Sequence, residues 1–525
     1  MSGLSLREKI GQLIVVRTTG HLFDHQRCYP AWEASRKQLE EWLGNLNIGG
    51  VILLGGSVAE VSYRSQQLQS WAKTPLLIAA DIEEGVGQRF TGATWFPPPM
   101  ALSAIYEKNP AEAEALAEEM GRVTAKEALS IGINWILAPV TDVNNNPSNP
   151  VINVRAFGEK TETVSALAPA FVRGCKQYPI LTCAKHFPGH GDTSCDSHLD
   201  LPVIKHSLPR LQTVELPPFA RVIKQGVDSV MTGHLLVEAI DANHPATVSQ
   251  RVLTGILRQQ MGFEGLVVTD ALIMAGIQKY APPAQVAVQA LQAGADILLM
   301  PPNPLDTIEA VERAVEEGVL SESRIDLSLA RVALAKDKIG HPDSSSLSLE
   351  TIAEEADSRL VEEILKLSME KGGNFPLPPT SGGVNLIVVE DLLNCSFLAR
   401  HTAAVAIPRS FGYQCQLVSE SDLYYSDYRN TPVLLQVFKR GNPFRGRAGL
   451  TPREEEFYRR LFRQPTFQGL VIYGSPYLCQ WFCQHLPPSS PWVFTYGQMP
   501  LAQQLAMSCL FHLSGDFDLP TDNFL

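Results

Sequence analysis

Eight short apolar runs spread over the first 300 residues constrain the fold of this chain more than any other feature. They occupy residues 11–16, 49–54, 75–80, 133–138, 179–185, 228–232, 265–270 and 296–300. Most carry Val, Ile and Leu on consecutive positions instead of alternating with polar residues. That pattern marks strands buried on both faces, as in a parallel sheet. Helical periodicity fills the intervals: residues 107–131, 284–293 and 305–319 place Ala and Leu on one face and charged or polar residues on the other. Eight strands joined by helical crossovers predict an α/β fold, a (β/α)8 TIM-type barrel instead of an open doubly wound sheet. No glycine-rich dinucleotide fingerprint follows the first run, so a nicotinamide site is rejected.

A chain of 525 residues exceeds one ordinary core. The barrel is expected over residues 1–340 and a linker over 341–383. The linker opens on a serine-rich tract, contains a helical stretch at 349–371, and closes on a Pro/Gly/Ser/Thr-rich segment at 376–383. Apolar runs then resume at 384–389, 403–407, 415–418, 433–438, 470–473 and 492–495. Residues 384–525 therefore read as a smaller C-terminal α/β sandwich domain.

Composition narrows the function. Apolar residues make up 45% and charged residues 19%, the balance of a globular protein. A net charge of −12 opposes a nucleic-acid or anionic-membrane partner, since both need a basic face. No apolar stretch reaches the roughly 18–20 residues that cross a bilayer. The chain opens on a helix start, with Ser5 as N-cap and Glu8 completing a capping box. Arg7, Glu8 and Lys9 stand where a secretion signal would need apolar residues, so a cytoplasmic location is expected. The nine cysteines are scattered and odd in number, as in a protein with reduced thiols. Cys479 and Cys483 lie four apart on a predicted helix, with no second pair to complete a metal site.

A barrel presents its chemistry at the carboxyl ends of its strands. Asp81 ends the third run. The fourth leads through Pro139 and Asp142 to Arg155. Lys185 and His186 end the fifth, His234 the sixth and Asp270 the seventh. After the fifth run, Pro188, Gly189 and Gly191 interrupt a polar segment that also holds His190, Asp192, Asp196 and His198, so it is a loop. The two glycines are expected to leave its backbone free to move. A lysine at the end of a buried strand requires a partner. Bland roles are open to several of these residues. His190 is expected to brace the loop, Asp192 to brace Lys185 or the loop backbone, and Asp196 can cap a turn. His206 and His244 have no context beyond surface or packing.

Lys185-His186-Phe187-Pro188-Gly189-His190-Gly191-Asp192-Thr193, followed by Asp196-Ser197-His198, resembles the signature of family 3 glycoside hydrolases, in their β-N-acetylglucosaminidase branch. Asn153-Val154-Arg155-Ala156-Phe157-Gly158 resembles the family's arginine loop, and Thr269-Asp270-Ala271-Leu272 its nucleophile turn. The likeness covers most of residues 5–340. It departs where Glu84 replaces a glycine, Val86 an arginine, Val154 an aspartate and Ala271 an acidic residue.

The resemblance implies a retaining, exo-acting hydrolase of terminal β-linked N-acetylglucosamine on muropeptides or related glycoconjugates. Asp270 would be the nucleophile, and His198, oriented by Asp196, the general acid and base. Asp81, Arg155, Lys185 and His186 would hold the sugar, with Met231 and His234 close to it. It implies no metal or other cofactor, a small-molecule carbohydrate as partner, and a monomer or homodimer. The residue types suit that chemistry: a carboxylate on a rigid strand end to attack, and a histidine that titrates near neutrality to move the proton. Other β-glycosidases, a β-glucosidase included, and glycoside phosphorylases fit the same machinery. A metal-dependent barrel hydrolase would take His186, His190, Asp192 and His198 as zinc ligands, against the positive charge of Lys185.

Overall fold

The computed structural model describes residues 3–197, 199–340, 348–380, 382–425, 428, 430–441 and 447–513. They fall into two compact units that divide between Ser358 and Arg359.

Every one of the eight apolar runs of the first unit forms a strand: β1 (Ile14–Thr19), β2 (Gly50–Leu54), β3 (Leu77–Ala80), β4 (Trp135–Ile136), β5 (Leu181–Phe187), β6 (Ser229–Thr232), β7 (Leu266–Thr269) and β8 (Leu298–Leu299). The strands are parallel and ordered β8-β1-β2-β3-β4-β5-β6-β7. The two ends of this sheet meet. Val268 bridges Ile297, and the Thr269 amide donates to the Ile297 carbonyl at 3.0 Å. The result is an eight-stranded barrel with helices in its crossovers, such as Pro110–Ser130, Thr161–Cys175 and Pro283–Ala293. Burial on both faces is complete in β3, where all four residues are fully enclosed. This is why those runs do not alternate with polar residues.

β1 begins three residues later than its apolar run, because Gly11 ends the helix Leu6–Gly11 and Gln12 caps it. The capping box that starts this helix is present: the Glu8 amide donates to Ser5 Oγ at 3.3 Å and the Ser5 amide to Glu8 Oε2 at 3.0 Å.

The second unit is a six-stranded sheet flanked by helices. Its strands are β9 (Glu370–Gly372), β10 (Gly383–Val389), β11 (Tyr413–Ser419), β12 (Val433–Lys439), β13 (Phe467–Gly474) and β14 (Trp492–Thr495), ordered β9-β14-β13-β12-β10-β11. Only β9 runs antiparallel. One sheet face buries Ile387, Leu434, Val471 and Tyr473 against the helices Ala403–Ser410 and Pro500–Phe511. Residues 403–407, expected as a strand, are the start of the first of these helices. Three alanines in five residues favour helix, and a run that short has no period to distinguish the two. The helix expected at 349–371 forms as Glu355–Ser368, and the residues after it turn into edge strand β9. Residues 341–347 of the expected linker lie outside the described residues.

The nine cysteines are free thiols, with the Sγ atoms of Cys479 and Cys483 3.9 Å apart. Among the described residues no helix is long and apolar enough to cross a membrane.

Candidate active site

Two carboxylates and two cations interlock where β3, the loop after β4, and β5 end. Lys185 is almost wholly enclosed, and its Nζ lies 2.8 Å from Asp81 Oδ1 and 2.6 Å from Glu83 Oε1. Glu83 also takes Arg155 in a fork, from Nε at 2.9 Å and Nη2 at 2.8 Å, while Arg155 Nη1 donates to the Val151 carbonyl at 2.8 Å. Such planar two-point pairing is the strongest form of ion pair. Burial alone would raise the Glu83 carboxyl, but the charges of Arg155 and Lys185 outweigh it and hold Glu83 well below the ordinary range. Burial likewise opposes the Lys185 charge, and Asp81 and Glu83 overcome it, so that its ammonium is held above its ordinary value. Glu83, Lys185 and Arg155 are therefore all held in their charged forms, and the cluster pairs two acidic side chains with two basic ones. The Asp81 side chain is 37% exposed against 2% for Lys185, so Asp81 is its open end.

Asp142 supports the next pair. It is fully buried, and its Oδ2 lies 2.8 Å from His186 Nδ1. The His190 amide donates to its Oδ1 at 2.7 Å, and the His186 amide reaches both oxygens at 3.2 Å. Burial raises the Asp142 carboxyl, but the His186 ring and these hydrogen bonds bring it below its usual value. His190 spends both ring nitrogens on the loop, on Thr193 Oγ1 at 2.8 Å and Ser197 Oγ at 2.9 Å. Burial, then the neighbouring His186, push its pKa down to about 4, so it is neutral at physiological pH. The expected bracing role of His190 is what the structure contains.

Asp270 follows the last residue of β7 and is half-buried. Its amide donates to the Thr232 carbonyl of β6 at 3.1 Å, and its Oδ1 accepts from the Ala271 amide at 2.8 Å. Met231 lies inside β6. His234 is fully buried just beyond that strand, with Nδ1 2.7 Å from Thr247 Oγ1 and Nε2 3.1 Å from the Ala271 carbonyl. The residue after Asp270 is thus tied to the residue set after β6. A cavity of about 70 Å³ is lined by Arg17 of β1, Trp32, Glu33, Ile273, and Met300 and Pro301 after β8, among others.

The β5 loop differs from expectation in two respects. Asp192 does not brace Lys185: its Oδ2 is 2.6 Å from His206 Nε2 and 3.3 Å from Arg210 Nη2. His206, expected as a surface or packing residue, is a partly exposed side chain that serves as its partner. Nor are the glycines there only for freedom. A Cβ on Gly191 would lie 1.8 Å from the Val143 carbonyl oxygen, and one on Gly189 2.8 Å from Glu215 Cβ. Asp196 is buried at the far end of the loop, and His198 lies outside the described residues. Of the residues considered for zinc, His186, His190 and Asp192 each turn to a separate partner.

Glu83 and Asp142 hold this site together, and the sequence reading assigned neither a role. Their trace in the sequence is an acidic residue a few positions after the third and the fourth apolar run, where the loops at a barrel's carboxyl ends begin. Glu84, which departs from the family pattern, is fully buried and accepts from Trp95 Nε1 at 3.0 Å, anchoring the loop after Asp81.

Residues 5–335 match the glycosyl hydrolase family 3 N-terminal domain, and residues 378–512 match the bacterial glycosyl hydrolase family 3 C-terminal domain. The chain is similar to beta-hexosaminidase A of Pseudoalteromonas piscicida, 33% identical over 69% of this chain and 66% of that protein, just under two thirds of its length. It is also similar to a beta-hexosaminidase of Alkalilimnicola ehrlichii, 37% identical over 54% of this chain and 82% of the other. Among solved structures, a family 3 beta-N-acetylglucosaminidase from Paenibacillus sp. superposes with a TM-score of 0.81 at 29% identity, covering 97% of each chain. The chain belongs to glycosyl hydrolase family 3 and is a β-hexosaminidase-like glycoside hydrolase.

Proposed function

We propose that this protein removes terminal β-linked N-acetylglucosamine from muropeptides or related glycoconjugates with retention of configuration. The Asp270 carboxylate attacks the anomeric carbon. His198 gives a proton to the departing oxygen, and Asp196 orients the imidazole and stabilises its charged form. The glycosyl–Asp270 ester is then cleaved by water, from which His198 takes the proton. Asp81 and Arg155 accept and donate hydrogen bonds to the sugar hydroxyls. Lys185 and His186 act at the enclosed wall, with Met231 and His234 below the ring.

The observation that carries this reading is the interlocked Asp81–Lys185–Glu83–Arg155 cluster in the barrel that also presents Asp270. It is a rigid, charge-paired array of hydrogen-bonding groups, already organised for a polyhydroxylated ring. The sugar assignment is supported by the beta-hexosaminidase and beta-N-acetylglucosaminidase relatives.

The test is turnover of an aryl β-N-acetylglucosaminide by the wild type, Asp270→Ala and His198→Ala. The wild type should be active and unaffected by a chelator. Asp270→Ala should lose at least about a thousandfold in kcat/KM, and His198→Ala about a hundredfold or more. Equal turnover by all three would refute the mechanism. Cleavage of the corresponding glucoside alone would change the sugar, and glycosyl phosphate formed in phosphate buffer would change the acceptor.

A further inference from the structure

Arg17 is the one charged residue in β1, whose other members are apolar or threonine. The strand register fixes where it points. Residues paired across neighbouring strands share a face, and faces alternate along each strand. Arg17 pairs with Ile52, Ile52 with Ala79, Ala79 with Trp135 and Trp135 with Leu181. Asp81 follows Ala79 by two residues and Lys185 follows Leu181 by four, so Arg17 shares their face. In the other direction Val15 pairs with Leu299, and Ile297 bridges Val268, two residues before Asp270. The same face therefore leads to Asp270. In the ring of eight strands β1 stands opposite β5, which carries Lys185.

The surroundings of Arg17 are a built site. Its Nη2 lies 3.5 Å from Glu33 Oε1, beyond ordinary hydrogen-bond range, and the Glu33 side chain is 1% exposed against 15% for Arg17. Glu33 Oε2 accepts from the Tyr29 amide at 3.2 Å. The guanidinium carbon stands 5.2 Å from the centre of the Tyr29 ring and 5.8 Å from that of Trp32. Among the described residues neither Arg17 Nε nor Glu33 Oε1 has a hydrogen-bond partner, an arrangement that costs stability. Burial lowers the Arg17 pKa, and the charges of Glu33 and then Asp81 oppose it, so the cation is within electrostatic reach of the site. Arg17 and Glu33 line the cavity of about 70 Å³, as do Trp32, Met300 and Ile273, which is three residues past Asp270. At roughly 10–15 Å³ for one water, that space takes a group of a few heavy atoms, not a whole sugar ring. Met300 is held at a φ of 50°, a left-handed conformation that is costly for a residue with a side chain.

We propose that this cavity receives the acetamido group of an N-acetylated leaving sugar, and that Arg17 determines the specificity for it. The proposal rests on the reading of the chain as an exo-acting N-acetylglucosaminidase. In that reading the terminal sugar meets the wall at Asp81 and Lys185, so the leaving group extends from Asp270 toward the opposite arc at β8 and β1. The carbonyl oxygen of the acetamido group accepts from the Arg17 guanidinium, and its methyl group meets Ile273, Met300 and Trp32. Neutrality matters as much as shape. A carboxylate there would lie against the acidic Glu33 and an ammonium against Arg17, whereas an amide is opposed by neither. Glu33, more enclosed than Arg17, is a positioning residue that holds the guanidinium beside the two rings.

The experiment uses three substrates with the same terminal sugar: N-acetylglucosamine β-linked to N-acetylglucosamine, to glucose, and to a phenol. In the wild type, kcat/KM for the first should exceed that for the second by roughly 10- to 100-fold, the value of a hydrogen bond from a charged donor. In Arg17→Ala that preference should fall to less than about threefold, through loss on the N-acetylated leaving sugar. An equal loss on all three substrates, or a preference that survives in Arg17→Ala, overturns the proposal. Arg17→Ala leaves Glu33 buried and without its cation, so the double variant Arg17→Met/Glu33→Gln decides should the single one fail to fold. It removes both charges and should erase the preference, and a preference retained there overturns the proposal. A wild type that cleaves the substrates without preferring the first defeats the site alone. A wild type that cleaves none of them defeats the exo-acting reading and the site with it.

Discussion

Glu83 shows how one side chain can hold a site together without touching the reaction. It is the shared counter-ion of Arg155 and Lys185, all three drawn from different segments of the chain. Removing its charge leaves two buried cations facing one partly exposed carboxylate. Glu83→Gln should therefore lower the unfolding free energy by about 3 kcal/mol, measured by urea denaturation near neutral pH. The native Glu83 carboxyl is held below its unfolded value, so its contribution is complete above the ordinary carboxylate range and is lost as pH falls through the native value. The gap between wild type and variant should thus close in strong acid. Lys185 could be read from sequence as a cation in need of a partner, because its strand is apolar. The identity of that partner could not, because Glu83 precedes it by about a hundred residues and only the closed barrel brings them together.

At the scale of elements, the β5 loop mixes legible and illegible features. Its proline and glycines exclude regular structure on sight. Its packing against Val143, Glu215 and the helix after Asp270 is invisible in the sequence. Gly191→Ala should destabilise the protein by about 2 kcal/mol or more, seen as a lower melting temperature, since the clash is with backbone that has no rotamer to change. The companion change Asp142→Asn keeps the shape of the side chain but weakens its hold on the His186 ring and on the amides of His186 and His190. It should raise KM and cost about 2 kcal/mol in denaturant. In the second unit, the helix Ala403–Ser410 was read as a strand for an equally local reason. Five apolar residues satisfy either period, and its place against the sheet face settles the matter.

For the whole molecule, Lys336 marks a cost of closing the barrel. It lies in the helix Glu322–Ile339, is buried, and donates to Gln12 Oε1 at 2.8 Å at the amino end of β1. Burial pushes its pKa down to about 7. Between that value and the usual lysine range the unfolded chain holds a proton that the native chain has released, so stability rises with pH across this window. Lys336→Met should remove that slope. Its melting temperature should exceed the wild type's by several degrees near pH 6, and by little near pH 10, in parallel thermal scans.

The sequence by itself determined the architecture. Strands buried on both faces must be continuously apolar, so eight such runs separated by helical periods specify a parallel barrel and reveal where its carboxyl ends lie. Asp81, Arg155, Lys185, His186, His234 and Asp270 could be named for that reason alone. What only the tertiary structure decided is how those residues are held: Glu83 between two cations, Asp142 beneath two histidines, and Gly276 against the carbonyls of Ser197 and Asp200. Each of these is a pairing of buried charges or a close approach of backbones between distant segments. Local pattern carries no record of such contacts, because they exist only once the chain has closed.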